Sequence, residues 1–322
     1  MAAGNEIHNA NGLGDTTSFI LLLVLYTLQG IPMGLSSSIP FLLQNSVSYQ
    51  AQATFSLVSW PFSLKLFWAP LVDSVYSTRI GRRKSWLIPI QLCCAFMMTY
   101  GSSSVHAWLD EEGGHPDVTK LTGYFFILYF LMATQDIAVD GWALTMLSEK
   151  NVQYASTCNS VGQTLGYFLA YVGFLALHDA GTCNSYLRSI PEETGLVTLA
   201  GFLNFWGFVM LFTTLLLWAF KKEAPEKAGQ VLAISETYNR LWSVIKLPAI
   251  KELSLILLTC KIGFAAAESV AALKLVEYGL QKEKLAMMSP ILMPLGIIIP
   301  VFLSKYTTGI KPWNLFLVSS QS

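Results

Sequence analysis

The chain has 322 residues, of which Lys, Arg, Asp and Glu make only 12% while hydrophobic residues make 53%. Soluble domains carry about 25% charge, so this composition, with a mean hydropathy of +0.49, excludes disorder, collagen and a disulfide-built scaffold and fits a multi-span membrane protein. The 20 basic and 20 acidic residues cancel, and what the charge can tell lies in its placement.

Residues 1–17 hold Glu6 and Asp15 but no Lys or Arg. This tail reads as a disordered cytosolic segment without the basic start of a cleavable signal peptide. Eight apolar runs follow, at 18–43, 51–73, 86–107, 121–147, 156–178, 197–220, 251–277 and 285–305, each near the ~20 residues that cross a bilayer. The first contains Gly30, Pro32, Gly34 and Pro40, which predict a kink or local break; the second contains Pro61 and Pro70, the eighth Pro290, Pro294, Gly296 and Pro300. Such breaks persist only where the freed backbone faces protein or a water-filled cavity, and packing kinks and cavity hinges both fit them.

Thirteen Lys and Arg fall in the loops after spans two, four, six and eight, among them Arg79, Lys150, Lys221 and Lys305. The opposite side has only Lys120, Arg188, Lys282 and Lys284, beside the acidic run Asp110-Glu111-Glu112. The positive-inside rule places the N-terminus and the basic loops in the cytosol. Six spans follow one another closely before a longer loop and two more. The expected fold is therefore all-α and integral to the membrane, on the two-half plan of a major facilitator. Residues 18–220 form its N-terminal six-helix half, 221–250 the loop between halves, 251–309 the first two helices of the second half and 310–322 a remaining tail. Lys84-Ser85-Trp86 and Lys311-Pro312-Trp313 are a weak echo of one half in the other.

Charges inside a membrane are costly and mark function by default. Lys65 lies mid-span, and Asp136 and Asp140, four apart, share a helix face; two like carboxylates must be solvated, paired or partly protonated, and Lys65 is the expected partner. Span seven carries Lys261, Glu268 and Lys274. Structural pairing and substrate coupling both fit these residues, and the three lysines would suit an anion. Asn159 and Gln163 share a face of span five, where Gly162 and Gly166 permit close helix contact; the two amides serve either as packing glue or as substrate contacts. Asp73 followed by Gly81-Arg82-Arg83-Lys84 is either a topogenic basic loop or a gate motif, with Asp73 and Gly81 further apart than in the facilitator pattern. Cys93, Cys94, Cys158, Cys183 and Cys260 form no C-x-x-C pair, so no metal site is expected. His8, His106, His115 and His178 avoid span centres, which argues against an enzyme built on a buried histidine.

The strings Tyr26 to Gly34, Trp60 to Asp73, Ala133 to Leu147, Tyr154 to Thr164 and Lys261 to Phe264 closely resemble the acetyl-coenzyme A transporters of the endoplasmic reticulum membrane, over about residues 18–312. The resemblance implies a facilitator that carries acetyl-CoA from cytosol to lumen for acetylation there, with acetyl-CoA and CoA as transported solutes and no cofactor. Bacterial muropeptide permeases share the element around Gln135 to Asp140, so a permease for another organic anion stays open. Family members have two complete halves, and this chain reads as ending early in the second. It is expected to be a fragment, splice variant or incomplete gene model that does not transport alone; a regulatory piece that pairs with a longer copy is the other reading. A homodimer stays open, and no nucleic acid is expected. The charge bias predicts that, in sealed microsomes, a tag at Asn5 is digested by external protease while a tag at Glu112 is protected; equal protection of the two tags would overturn this topology.

Overall fold

In a computed structural model of the chain, the described residues are 14–43, 47–109, 115–223 and 233–259, with a few positions between 278 and 303. All regular structure among them is helical. Lys261, Glu268, Lys274, Cys260 and Lys311–Trp313 lie outside the described residues.

Helix α1, Asp15–Leu43, runs through Pro32 and Pro40 without the break its sequence suggests. Between the two prolines the hydroxyls of Ser36, Ser37 and Tyr129 all donate to the Met33 carbonyl, at 3.4, 3.0 and 3.3 Å. Each proline deprives one carbonyl of its helical donor, those of Leu28 and Ser36, and a membrane helix packed among others can continue through such a gap.

The second predicted span does break. It comprises α2 (Tyr49–Phe55), a 3-10 turn at Ser56–Ser59, α3 (Trp60–Leu64), a second 3-10 turn at Lys65–Phe67, and α4 (Ala69–Ser74). Pro61 and Pro70 sit in the first turns of α3 and α4, where a missing N–H leaves no helical acceptor unpaired. Helix α5, Lys84–Tyr100, steps at Gly101 into α6, Ser102–Leu109. Helix α7, Val118–Met146, starts on an Asp117 cap that accepts from the Lys120 N–H at 3.0 Å. The side-chain bond from Lys120 also holds the Asp117 carboxyl below its ordinary range. Then come α8 (Ala155–His178), α9 (Ala180–Tyr186), α10 (Leu199–Phe220) and α11 (Ile234–Ile245).

Asp15–Pro40, Val118–Met146, Val152–His178 and Leu199–Phe220 are each long and apolar enough to cross a membrane. The second and third predicted spans are met by shorter helices in series. Polarity is turned outside in: Gln29, Gln91, Gln135 and Asp136 are buried, while Phe205, Phe208, Phe212 and Trp218 of α10 point outward. This distribution suits a lipid surround and makes the chain an all-helical integral membrane protein.

Helix α7 is the hub, burying Leu121, Phe125, Leu128 and Met132 in one core cluster and Val139, Trp142 and Ala143 in another. Helices α1 and α8 meet through glycines, as the spacing of Gly162 and Gly166 predicts. A Cβ at Gly34 would lie 2.5 Å from the Tyr167 carbonyl, one at Gly162 2.6 Å from the Tyr26 Cβ, and one at Gly166 3.0 Å from the Gly30 Cα. No side chain fits without parting the helices, so Gly166→Leu should cost at least the ~1–3 kcal/mol of an overpacked core. A lowered melting temperature in detergent would show it; an unchanged one would mean that the two helices do not pack this closely.

Candidate functional site

The site is built where four elements meet. The break in the second span places Lys65 in a 3-10 turn, and α7 presents Asp136 and Asp140 one helical turn apart toward it. Lys65 Nζ is ion-paired with Asp136 Oδ2 and lies 3.8 Å from Asp140 Oδ2. The expected pairing of this lysine with the two-carboxylate face is present.

The Asp136 side chain is only 2% exposed, and its other oxygen is saturated by amides. Gln29 of α1 donates to Oδ1 at 2.7 Å, and Gln163 and Asn159 of α8 at 3.0 and 3.3 Å. Asp140, whose side chain is 44% exposed, accepts from the Tyr26 hydroxyl at 2.7 Å and from Asn159 at 2.9 Å. The turn carrying Lys65 is fixed to α7 by Trp68, whose indole N–H donates to Thr134 at 3.1 Å and whose ring lies 4.9 Å from that of Phe130. Helix α11 steadies it from the other side: Tyr238 donates to the Phe67 carbonyl at 2.7 Å, and Ser74 donates to Thr237 at 2.8 Å.

One ammonium thus faces two carboxylates, and the Lys65 charge is already engaged. Among the predicted residues, the structure brings together Lys65, Asp136, Asp140, Asn159 and Gln163. It adds Tyr26 and Gln29, three apart on one face of α1. The available signal was a glutamine in the middle of an apolar run, where an amide needs a partner.

Asp73, Gly81, Arg82, Arg83 and Lys84 gather further along the chain from Lys65, at the loop end of α5. Arg83 Nη1 binds Asp73 Oδ1 at 2.6 Å and Arg82 Nη2 lies 3.6 Å from the same oxygen. The Arg83 guanidinium packs on Gly141 of α7, leaving no room there for a Cβ. Glu223, just beyond α10, accepts from the backbone N–H groups of Arg83 at 3.0 Å and Lys84 at 3.0 Å. In return Lys84 Nζ donates to the carbonyls of Trp218 at 3.2 Å and Lys221 at 2.8 Å. A carboxylate caps the start of α5 and an ammonium caps the end of α10, each placed where the helix dipole favours its sign. Gly81 turns at φ 108°, where a Cβ would also strike Glu223. Sequence reasoning missed Glu223, which stands about 140 residues from its partners.

Long apolar helices around a buried, ion-paired polar cluster, with a basic loop fastened to helix ends, define a polytopic membrane protein with polar chemistry inside. Residues 18–233 and 226–315 match the family described as Acetyl-coenzyme A transporter 1. The chain belongs to that family, which is one of transporters. An uncharacterised protein of Schizosaccharomyces pombe is 35% identical over 297 residues, covering 92% of this chain and 56% of its own length. An uncharacterised membrane protein of Saccharomyces cerevisiae is 33% identical over 350 residues, covering 92% and 62%. A putative transporter AmpG 4 of Rickettsia conorii is 30% identical over 163 residues, covering 48% and 37%. The chain spans less than two thirds of the length of these relatives.

Lys65→Ala leaves the nearly buried Asp136 with amide donors but no cation. Breaking a buried pair costs ~3–5 kcal/mol; the three amides should hold the loss to the low end, about 3 kcal/mol. Adding Asp136→Asn should recover most of it. Thermal melts of the single and double variants check this, and a Lys65→Ala protein as stable as the parent would refute the pairing.

Proposed function

We propose that the chain forms part of an acetyl-CoA carrier that moves its substrate from the cytosol into the endoplasmic reticulum lumen by alternating access. In this reading residues 18–220 are the N-terminal half of a major facilitator fold, 221–250 the cytosolic connection and 251–309 the first helices of the second half. The family supports the substrate, and the half-buried Lys65, shared by the buried Asp136 and by Asp140, is the observation that carries the mechanism. Acetyl-CoA bears a pyrophosphate and a 3′-phosphate, and a phosphate oxygen is a strong competitor for an ammonium held by carboxylates. Substrate would take Lys65 over, while Tyr26, Gln29, Asn159 and Gln163 hold the aspartates in place. The exchange of partners gives the substrate differential affinity for one arrangement of the broken second span, which any ligand-driven shift requires.

The Asp73–Arg83 pair and the Glu223 and Lys84 caps would close the cytosolic end in one arrangement and part in the other. Lys261, Glu268 and Lys274 are the further substrate or coupling candidates in the second half. The match to AmpG transporters favours one other reading, a permease for a different organic anion or a muropeptide-like solute.

Equilibrium binding of labelled acetyl-CoA to the purified chain separates these readings. Saturable binding displaced by CoA, and weakened about tenfold or more in the Lys65→Ala/Asp136→Asn protein, is the expected result; a charge-assisted bond is worth ~1.5–3 kcal/mol. Displacement by a muropeptide but not by CoA would move the assignment to the second reading. Uptake into proteoliposomes then tests transport itself.

A further inference from the structure

Outside the ion-paired site, the described residues form an open surface groove of about 490 Å³ between the loop after α4, the first half of α5, and α7. Its volume falls within the ~300–1,000 Å³ of small-molecule sites. Its walls are apolar: Val75 and Ile80 from the loop, Trp86, Pro89 and Cys93 from α5, and Leu131 from α7. The polar groups of Trp86, Ser85 and Ser77 in the lining are turned to the protein itself. The Trp86 indole N–H donates to the Val75 carbonyl at 2.5 Å, and the Ser85 hydroxyl accepts from the Ser77 N–H at 3.0 Å and donates to the Gly81 carbonyl at 2.5 Å. These walls suit hydrocarbon and offer little to acetyl-CoA.

The groove runs from the basic loop into the body of two apolar helices. Cys93 lies more than two turns into α5, and Leu131 is near the middle of α7. At the loop end, Arg79 stands between the lining residues Ser77 and Ile80; it is exposed and makes no hydrogen bond or ion pair among the described residues. An apolar slot that begins beside an unengaged guanidinium has the shape and charge of a phospholipid: acyl chain inward, anionic headgroup at the rim. The basic-loop bias assigns this rim to the cytosolic leaflet, where anionic lipids concentrate.

We infer that this groove is a binding site for an anionic phospholipid, whose acyl chain lies along Trp86, Pro89, Cys93 and Leu131 and whose headgroup meets Arg79. The inference is independent of what the Lys65 site carries. It also puts a bound lipid against the loop that holds Arg82 and Arg83, so lipid occupancy would bear on the Asp73 pairing.

Cys93 supplies the readout. It is exposed along the groove, whereas Cys94, Cys158 and Cys183 are buried. Purified full chain in mild detergent is treated with N-ethylmaleimide, with modification at Cys93 followed by peptide mass spectrometry. Phosphatidylserine should slow that modification several-fold and phosphatidylcholine much less. Arg79→Gln should weaken the phosphatidylserine effect about fivefold, the factor that ~1 kcal/mol for one basic residue at a lipid surface represents. As a second measurement, native mass spectrometry should show retained phosphatidylserine on the parent chain and its loss from Cys93→Trp, which fills the slot. Equal protection by phosphatidylcholine, equal protection by oleate alone, an Arg79→Gln protein that behaves as the parent, or phosphatidylserine retained by Cys93→Trp would each overturn the assignment. None of these readings depends on acetyl-CoA, so failure here leaves the carrier proposal standing, and the reverse holds as well.

Discussion

The Asp136 carboxylate is almost fully enclosed, and a carboxylate in that position is tolerable only if every lone pair is met. Four groups meet it, and they come from three different stretches of chain: Gln29 from α1, Lys65 from the second span, Asn159 and Gln163 from α8. Much of the remaining architecture follows from this demand. Gln29 and the α8 amides can reach the same oxygen only if α1 and α8 lie close together, and glycines at 30, 34, 162 and 166 make that approach possible. Lys65 can point into the site because the second span breaks into short helices between its two prolines. The polar cluster and the glycine seam are thus one device, since neither reaches its geometry without the other.

A second constraint acts at the loop end. Helix termini leave backbone groups without helical partners, and here two helices solve the problem for each other through Glu223 and Lys84. The contacts are between charged side chains and backbone, so they can separate into water as intact units. Arg83, held between Asp73 and the surface of Gly141, ties the same loop to α7, the helix that bears both aspartates. One rigid helix therefore links the loop to the interior site, which gives a physical route by which events at one could be felt at the other.

Much of this was legible in the sequence because the membrane makes polarity expensive. A lysine or aspartate inside an apolar run needs a partner, and Lys65, Asp136 and Asp140 supplied a single consistent pairing. The four-residue spacing of Asn159 and Gln163 and of Gly162 and Gly166 likewise put amides and small residues on defined faces of α8. Where the reading went astray, local rules met tertiary compensation. Gly30, Pro32 and Pro40 suggested a kink or a local break in α1, and the helix runs on unbroken because each proline removes a single hydrogen bond within a helix packed closely against α7 and α8. The glycines in that stretch serve the contact with α8.

The sequence by itself determined the solvent of this protein, the positions of its four long apolar helices and the residues whose charge must be neutralised, because composition, period and the cost of buried charge are local or additive properties. Only the tertiary structure decided that Tyr26 and Gln29 complete the carboxylate site, that Glu223 caps a helix about 140 residues away, and that the basic loop borders an apolar groove. Each of these depends on which helices become neighbours. Helix packing sets that at distances in the chain over which no periodicity or motif carries information.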